Sequence, residues 1–158
     1  MPDTYIAIML QSLKKKEQVL NEIIRLDDLQ KNQLTNPESQ VEDFEKTVED
    51  KSACIQQLEQ LDSGFEKLYA EVAQELEQNR ETYADQIREM QEYIRIVTDK
   101  SVEIQAQEAR NKDLMMHKFA GIKKHAKSVR VNSKAIEGYS RAMRPSAYMD
   151  PMYMDGKK

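Results

Sequence analysis

Two histidines, one cysteine and many carboxylates are the side chains of this chain that could do chemistry. His117 and His125 lie eight residues apart, and Asp113 stands four residues before His117. An i, i+4 Asp–His pair can place two metal ligands on one helix face. No second pair of that kind follows, and Glu-x-x-His does not occur. No metal site is therefore expected. Cys54 sits beside Ile55 with no histidine within a helical turn, which reads as a small, inert, partly buried thiol rather than a nucleophile. There is no glycine-rich phosphate loop, so no nucleotide cofactor is expected. The carboxylates recur beside Lys and Arg, as on a solvated helix surface. Acid–base catalysis needs a concave pocket that brings two tuned groups together. A slender helical protein rarely offers one, and an enzyme is not expected.

Composition says which elements carry these residues. The chain has 158 residues, 33% charged and 39% hydrophobic, with four Gly, four Pro and no Trp. That length favours a single domain, and so few turn-formers favour long helices with few connections. The turn signals of a β-sandwich and the β-rich runs of a doubly wound sheet are missing. No 18-residue apolar window exists, so no membrane insertion is expected. The opening MPDTYIAIMLQSLKKK lacks a basic stretch ahead of its apolar one and does not read as a signal peptide. With a single Cys, a reducing cytoplasm is the expected compartment.

Charge is unevenly placed. Residues 1–116 carry 14 Lys/Arg against 25 Asp/Glu, whereas residues 117–158 carry 10 against 3. The pattern is an acidic body with a basic tail. Such a tail suits nucleic acid, anionic lipid, an acidic protein or the chain's own body. Tyr139, Tyr148 and Tyr153 have no folded platform on which to stack bases, so nucleic acid is not an expected partner.

The apolar spacing predicts three helices. Ile6, Met9, Leu13, Leu20, Ile23 and Leu34 share one three-four phase, with Lys16, Asp27 and Gln30 at its polar positions. Asn36-Pro37 breaks it, and Asn36 as N-cap with Pro37 at the first helical position would restart a helix at once. Val41, Phe44, Val48, Ile55, Leu58, Phe65, Tyr69, Val72 and Leu76 follow, with Lys51 and Asp62 at seam positions. The phase runs unbroken through Gly64, so the helix is expected to continue there at a cost of roughly 1 kcal/mol against Ala. It slips after Leu76, and an unbroken helix from 38 to 128 would be roughly 135 Å long. A turn near Asn79 resolves both, with Asn79 as cap and Glu81 in the first turn of the next helix. That helix carries Tyr83, Ile87, Met90, Ile94, Val97, Ile104 and Met115, with Ser101, Glu108 and Asn111 at polar seam positions.

The expected fold is all-α: an elongated antiparallel three-helix bundle, or helical hairpin, with coiled-coil packing. The helices should span about 3–34, 38–78 and 81–128 within a bundle of residues 1–131. Residues 132–158 are basic and rich in Met and Tyr, and disorder is expected for this flexible C-terminal tail. A thin bundle leaves apolar surface near solvent, so a homodimer is one way to cover it.

Two features point to a binding role. Six of the nine Met lie at or after position 115, and Met-rich surfaces adapt to apolar partners. The polar interruption at Ser101, Glu108 and Asn111, followed by Leu114, Met115, Met116, Phe119 and Ile122, suggests that the end of the third helix projects beyond the bundle and offers a docking surface.

Residues 45–72 (EKTVEDKSACIQQLEQLDSGFEKLYAEV) and 83–114 (YADQIREMQEYIRIVTDKSVEIQAQEARNKDL) resemble the FlgN-type flagellar export chaperones of Gram-positive bacteria. The resemblance rests on the Glu-Lys and Asp-Lys steps ahead of Ile55 and Leu58, on the Leu61-Asp62 to Gly64-Phe65 step, and on the run from Ile104 to Asn111. It implies a small, non-catalytic cytoplasmic helical protein of type III secretion. Such a protein binds the C-terminal helical segments of hook-associated (hook–filament junction) proteins, prevents their premature assembly and delivers them to the flagellar export apparatus. The family's C-terminal helix contacts the partner, which maps here onto the region of Ile104, Leu114, Met115, Met116, Phe119 and Ile122, with Tyr139 beyond it. A FliT-type chaperone of the filament cap and a self-associating structural coiled coil are the alternatives.

Overall fold

A computed structural model describes residues 2–118, which form three helices: α1 (Pro2–Thr35), α2 (Val41–Gln78) and α3 (Ala84–Lys118). The fold is an all-α three-helix bundle. α1 packs against both other helices, while the backbones of α2 and α3 stay further apart and meet through side chains. α2 runs antiparallel to α1, so Ile6 lies in one cluster with Leu76 and Leu34 in another with Phe44. α3 then runs parallel to α1, bringing Met90 beside Ile6 and Met9, and Met115 beside Leu34.

The apolar phase of each helix becomes the core in three clusters. At the proximal end, where α2 turns into α3, Ile6, Met9 and Leu13 meet Phe65, Tyr69, Val72, Leu76 and Met90. In the middle, Val19, Leu20 and Ile23 meet Ile55, Leu58, Val97 and Ile104. At the distal end, where α1 turns into α2, the cluster is smaller: Leu34, Phe44, Val48 and Met115. Burying an apolar side chain of this size stabilises by roughly 1.5–3 kcal/mol, so the three clusters are far from equal.

Both turns differ in detail from the reading of the sequence. Asn36 does not start α2. Its Oδ1 accepts the Glu38 N–H at 3.0 Å, and the Ser39 N–H bonds the Asn36 carbonyl at 3.1 Å. These local bonds hold residues 36–39 in a turn, so α2 begins at Val41 after an extended Gln40 that makes no side-chain cap. Asn79 caps the end of α2 rather than the start of α3. Its N–H and its Nδ2 both reach the Glu75 carbonyl, at 3.1 and 3.0 Å. Glu81 lies in the turn, and Asp85 is the first-turn acid of α3. α2 is continuous through Gly64, and a Cβ placed there would meet nothing within 4 Å. The expected stretch of α3 from 119 to 128 and the tail lie outside the described residues.

Candidate functional site

The polar seam positions of the three helices converge on two layers between the clusters. The first, between the proximal and middle clusters, is an ion pair: Lys16 Nζ donates to Asp62 Oδ1 at 2.7 Å. Burial pushes the Asp62 carboxyl above its ordinary value, although Lys16 pulls it the other way.

The second layer separates the middle from the distal cluster and uses all three helices. Lys51 of α2 has a fully buried side chain. Its ammonium lies 2.6 Å from Glu108 Oε2 of α3 and 3.1 Å from Asp27 Oδ1 of α1. It donates to Glu108 Oε1 at 2.8 Å and to Gln30 Oε1 at 2.9 Å. Asn111 Nδ2 of α3 donates to the Asp27 carbonyl at 3.0 Å and to Gln30 Oε1 at 3.2 Å. Gln107 Nε2 closes the outer side on Asn111 Oδ1 at 2.8 Å. Burial, reinforced by the neighbouring Glu108, pushes the Asp27 carboxyl up to about 8 against the pull of Lys51.

This layer corrects the reading of α3. Ser101, Glu108 and Asn111 do not mark a helix leaving the bundle; each is buried, and Glu108 and Asn111 face polar partners on α1 and α2. The seam positions of one helix look misplaced in isolation. The signal that they pair lies across helices: Lys16–Asp62 and Asp27–Lys51 share one midpoint, Ser39, as a hairpin requires.

The residues expected to bind a partner are split by the same packing. Ile104 belongs to the middle cluster and Met115 to the distal one, and both are buried. Leu114 is half-buried against the distal cluster. Met116 is 50% exposed and Val102 is 62% exposed. The exposed Ala106 and Ala109 lie between them at helical spacing, so the outer face of α3 carries a few apolar residues, interrupted by the exposed Asp113. Phe119, Ile122 and Tyr139 lie outside the described residues.

The side chains that the sequence offered for chemistry are not gathered into one site among the described residues. Asp113 and His117 are both exposed, and no group of three or more His, Cys, Asp or Glu is placed to hold a metal ion. Burial, then Glu22 and Asp50, push the Cys54 thiol up, which works against a thiolate nucleophile. An open groove of about 460 Å³ beside the α1–α2 turn is lined by Leu29, Asn32, Gln33, Asp43 and Thr47. No helix among the described residues is long and apolar enough to cross a membrane.

The described residues thus form a three-helix bundle with polar layers inside and exposed apolar side chains on the outer face of α3. The chain matches the family model described as FlgN protein over residues 1–146, and it belongs to that family of flagellar export chaperones. No curated protein and no solved structure matches it.

Proposed function

We propose that this chain is a cytoplasmic chaperone that binds the C-terminal helical segments of hook-associated proteins, keeps them from assembling and presents them to the export apparatus. The family membership carries this reading. The outer-face residues Val102, Ala106, Ala109 and Met116 support it: they stand at i, i+4, i+7 and i+14 on one face, with the exposed Asp113 at i+11, and an apolar client helix packs on a face of that phase. The half-buried Leu114, and Phe119 and Ile122 further along the chain, extend the same chemistry. Tyr139 adds an aromatic side chain in the basic segment.

Export requires release, which suits a modest apolar contact. Micromolar affinity corresponds to about −8 kcal/mol. At about 25 cal/mol per Å², several hundred Å² of apolar burial supplies that with a margin for association costs. The test is calorimetric titration of the purified chain with each hook-associated protein of its own organism. One of them should bind near micromolar or tighter, and Met116→Glu should weaken it about tenfold by placing a charge in the contact. Failure of all of them to bind, together with normal filament assembly after deletion of the gene, would rule the reading out. A stable dimer in sedimentation with no client binding would favour the self-associating coiled coil.

A further inference from the structure

The Lys51 layer holds two carboxyl groups and one ammonium in the interior. From α1 it receives Asp27 and the neutral Gln30, from α2 Lys51, and from α3 Glu108 and the neutral Asn111. The next charges on these helices, Asp28, Lys31, Arg110 and Lys112, are exposed, and the half-buried Asp50 pairs with Lys46 at the surface. With both carboxyls ionised the layer carries an uncompensated negative charge away from water. Asp27 Oδ1 and Glu108 Oε2 lie 3.1 and 2.6 Å from the same Lys51 ammonium, so the two carboxyls are neighbours across one cation, and Asp27 Oδ2 is left without a partner. One proton shared between them makes the layer neutral.

The element that yields when this proton leaves is set by connectivity. α1 and α2 are joined at the distal end by residues 36–40. α3 is held there by Glu108 and Asn111, by Met115 in a four-residue cluster, and by Lys118, whose Nζ donates to the Gln33 and Asn36 carbonyls at 2.9 and 2.8 Å. The other fourteen residues of the two remaining clusters, Ile104 standing at the boundary, anchor the rest.

We propose that Asp27, Lys51 and Glu108 form a proton-dependent clasp: with one shared proton it holds residues 104–118 of α3 against the α1–α2 hairpin, and without it that end of α3 parts from the hairpin and uncovers Leu34, Phe44, Val48 and Met115. The raised Asp27 value agrees in direction. The closed form keeps a proton that an exposed carboxyl loses near its ordinary value of 3.8, up to about 8. Closure therefore weakens as pH climbs through that window, by about tenfold in the closed-to-open ratio per pH unit. The clasp belongs to the free chain, so its test is separate from client binding.

The test is amide hydrogen exchange of the full chain at about pH 6 and about pH 8, expressed as protection factors so that the intrinsic pH dependence of exchange is removed. Residues 104–118 should lose about tenfold or more of their protection at the higher pH relative to residues 84–97. Asp27→Asn replaces the titrating carboxyl by a neutral amide and should abolish the difference; Glu108→Gln reads the same point if the first variant fails to fold. His117→Gln, exposed at the same end, should leave the difference in place. Equal loss in all three helices, unchanged protection at 104–118, or a response that survives in folded Asp27→Asn or Glu108→Gln would each overturn the clasp, as would its loss in His117→Gln.

Discussion

At the proximal end of the bundle eight buried apolar residues from three helices meet, and the Lys16–Asp62 pair below them is partly open to water. At the distal end four buried apolar residues meet, and the layer above them is a closed network of charged and amide groups. The same antiparallel packing thus produces two ends with different sources of cohesion. Apolar burial is non-directional and tolerates small shifts. A buried ionic network demands one geometry and penalises any unmatched charge. The proximal end is accordingly a stable anchor, while the distal end is conditional on its polar contacts.

The largest test of this contrast is Lys51→Met. It leaves the Asp27 and Glu108 carboxyls buried without their cation and should destabilise by about 3–5 kcal/mol in urea unfolding near neutral pH. A loss below about 1 kcal/mol would show that the layer adds little cohesion. Leu20→Ala and Met115→Ala compare the middle and distal clusters. Each removes a buried side chain, at about 2–5 kcal/mol for a site that cannot collapse. The Leu20 change should lower the whole unfolding transition, whereas the Met115 change should fall lower in that range and reduce hydrogen-exchange protection mainly at 104–118. Equal global effects would remove the contrast.

The pH dependence follows from Asp27. Its folded value is raised to about 8 by burial, so the folded state binds more protons than the unfolded chain between about pH 4 and about 8. Unfolding free energy should therefore fall as pH rises through that window, by at most about 1.4 kcal/mol per unit. The raised Asp62 value acts in the same direction. Asp27→Asn should flatten the profile. The partly exposed proximal pair makes a smaller difference: Lys16→Met should cost about 1 kcal/mol or less. The smallest expected effect has the opposite sign. Gly64→Ala inside α2, where the added Cβ meets nothing, should stabilise by about 0.5–1 kcal/mol.

The seam of each helix was legible in the order of residues. Ile6, Met9, Leu13, Leu20 and Ile23 recur at helical spacing because one face must leave water, and all are buried. Gly64 could be read through for the same reason. The breaks near Pro37 and Asn79 were legible as breaks, because proline and the slip in phase forbid a continuous rod. Their internal hydrogen bonding was not, since Asn36 can cap a helix or hold a turn with the same side chain.

The role of the polar seam residues belonged to the tertiary structure. Glu108 and Asn111 read as the polar end of a stripe when α3 is considered alone. Three helices in one register turn them into partners of Lys51, Gln30 and the Asp27 backbone. The same register buried Ile104 and Met115 and left Met116 on the surface. Periodicity along one chain specifies which face of a helix avoids water. Only the height at which three such faces meet decides whether a charge on that face finds its counter-charge or a solvent-facing gap.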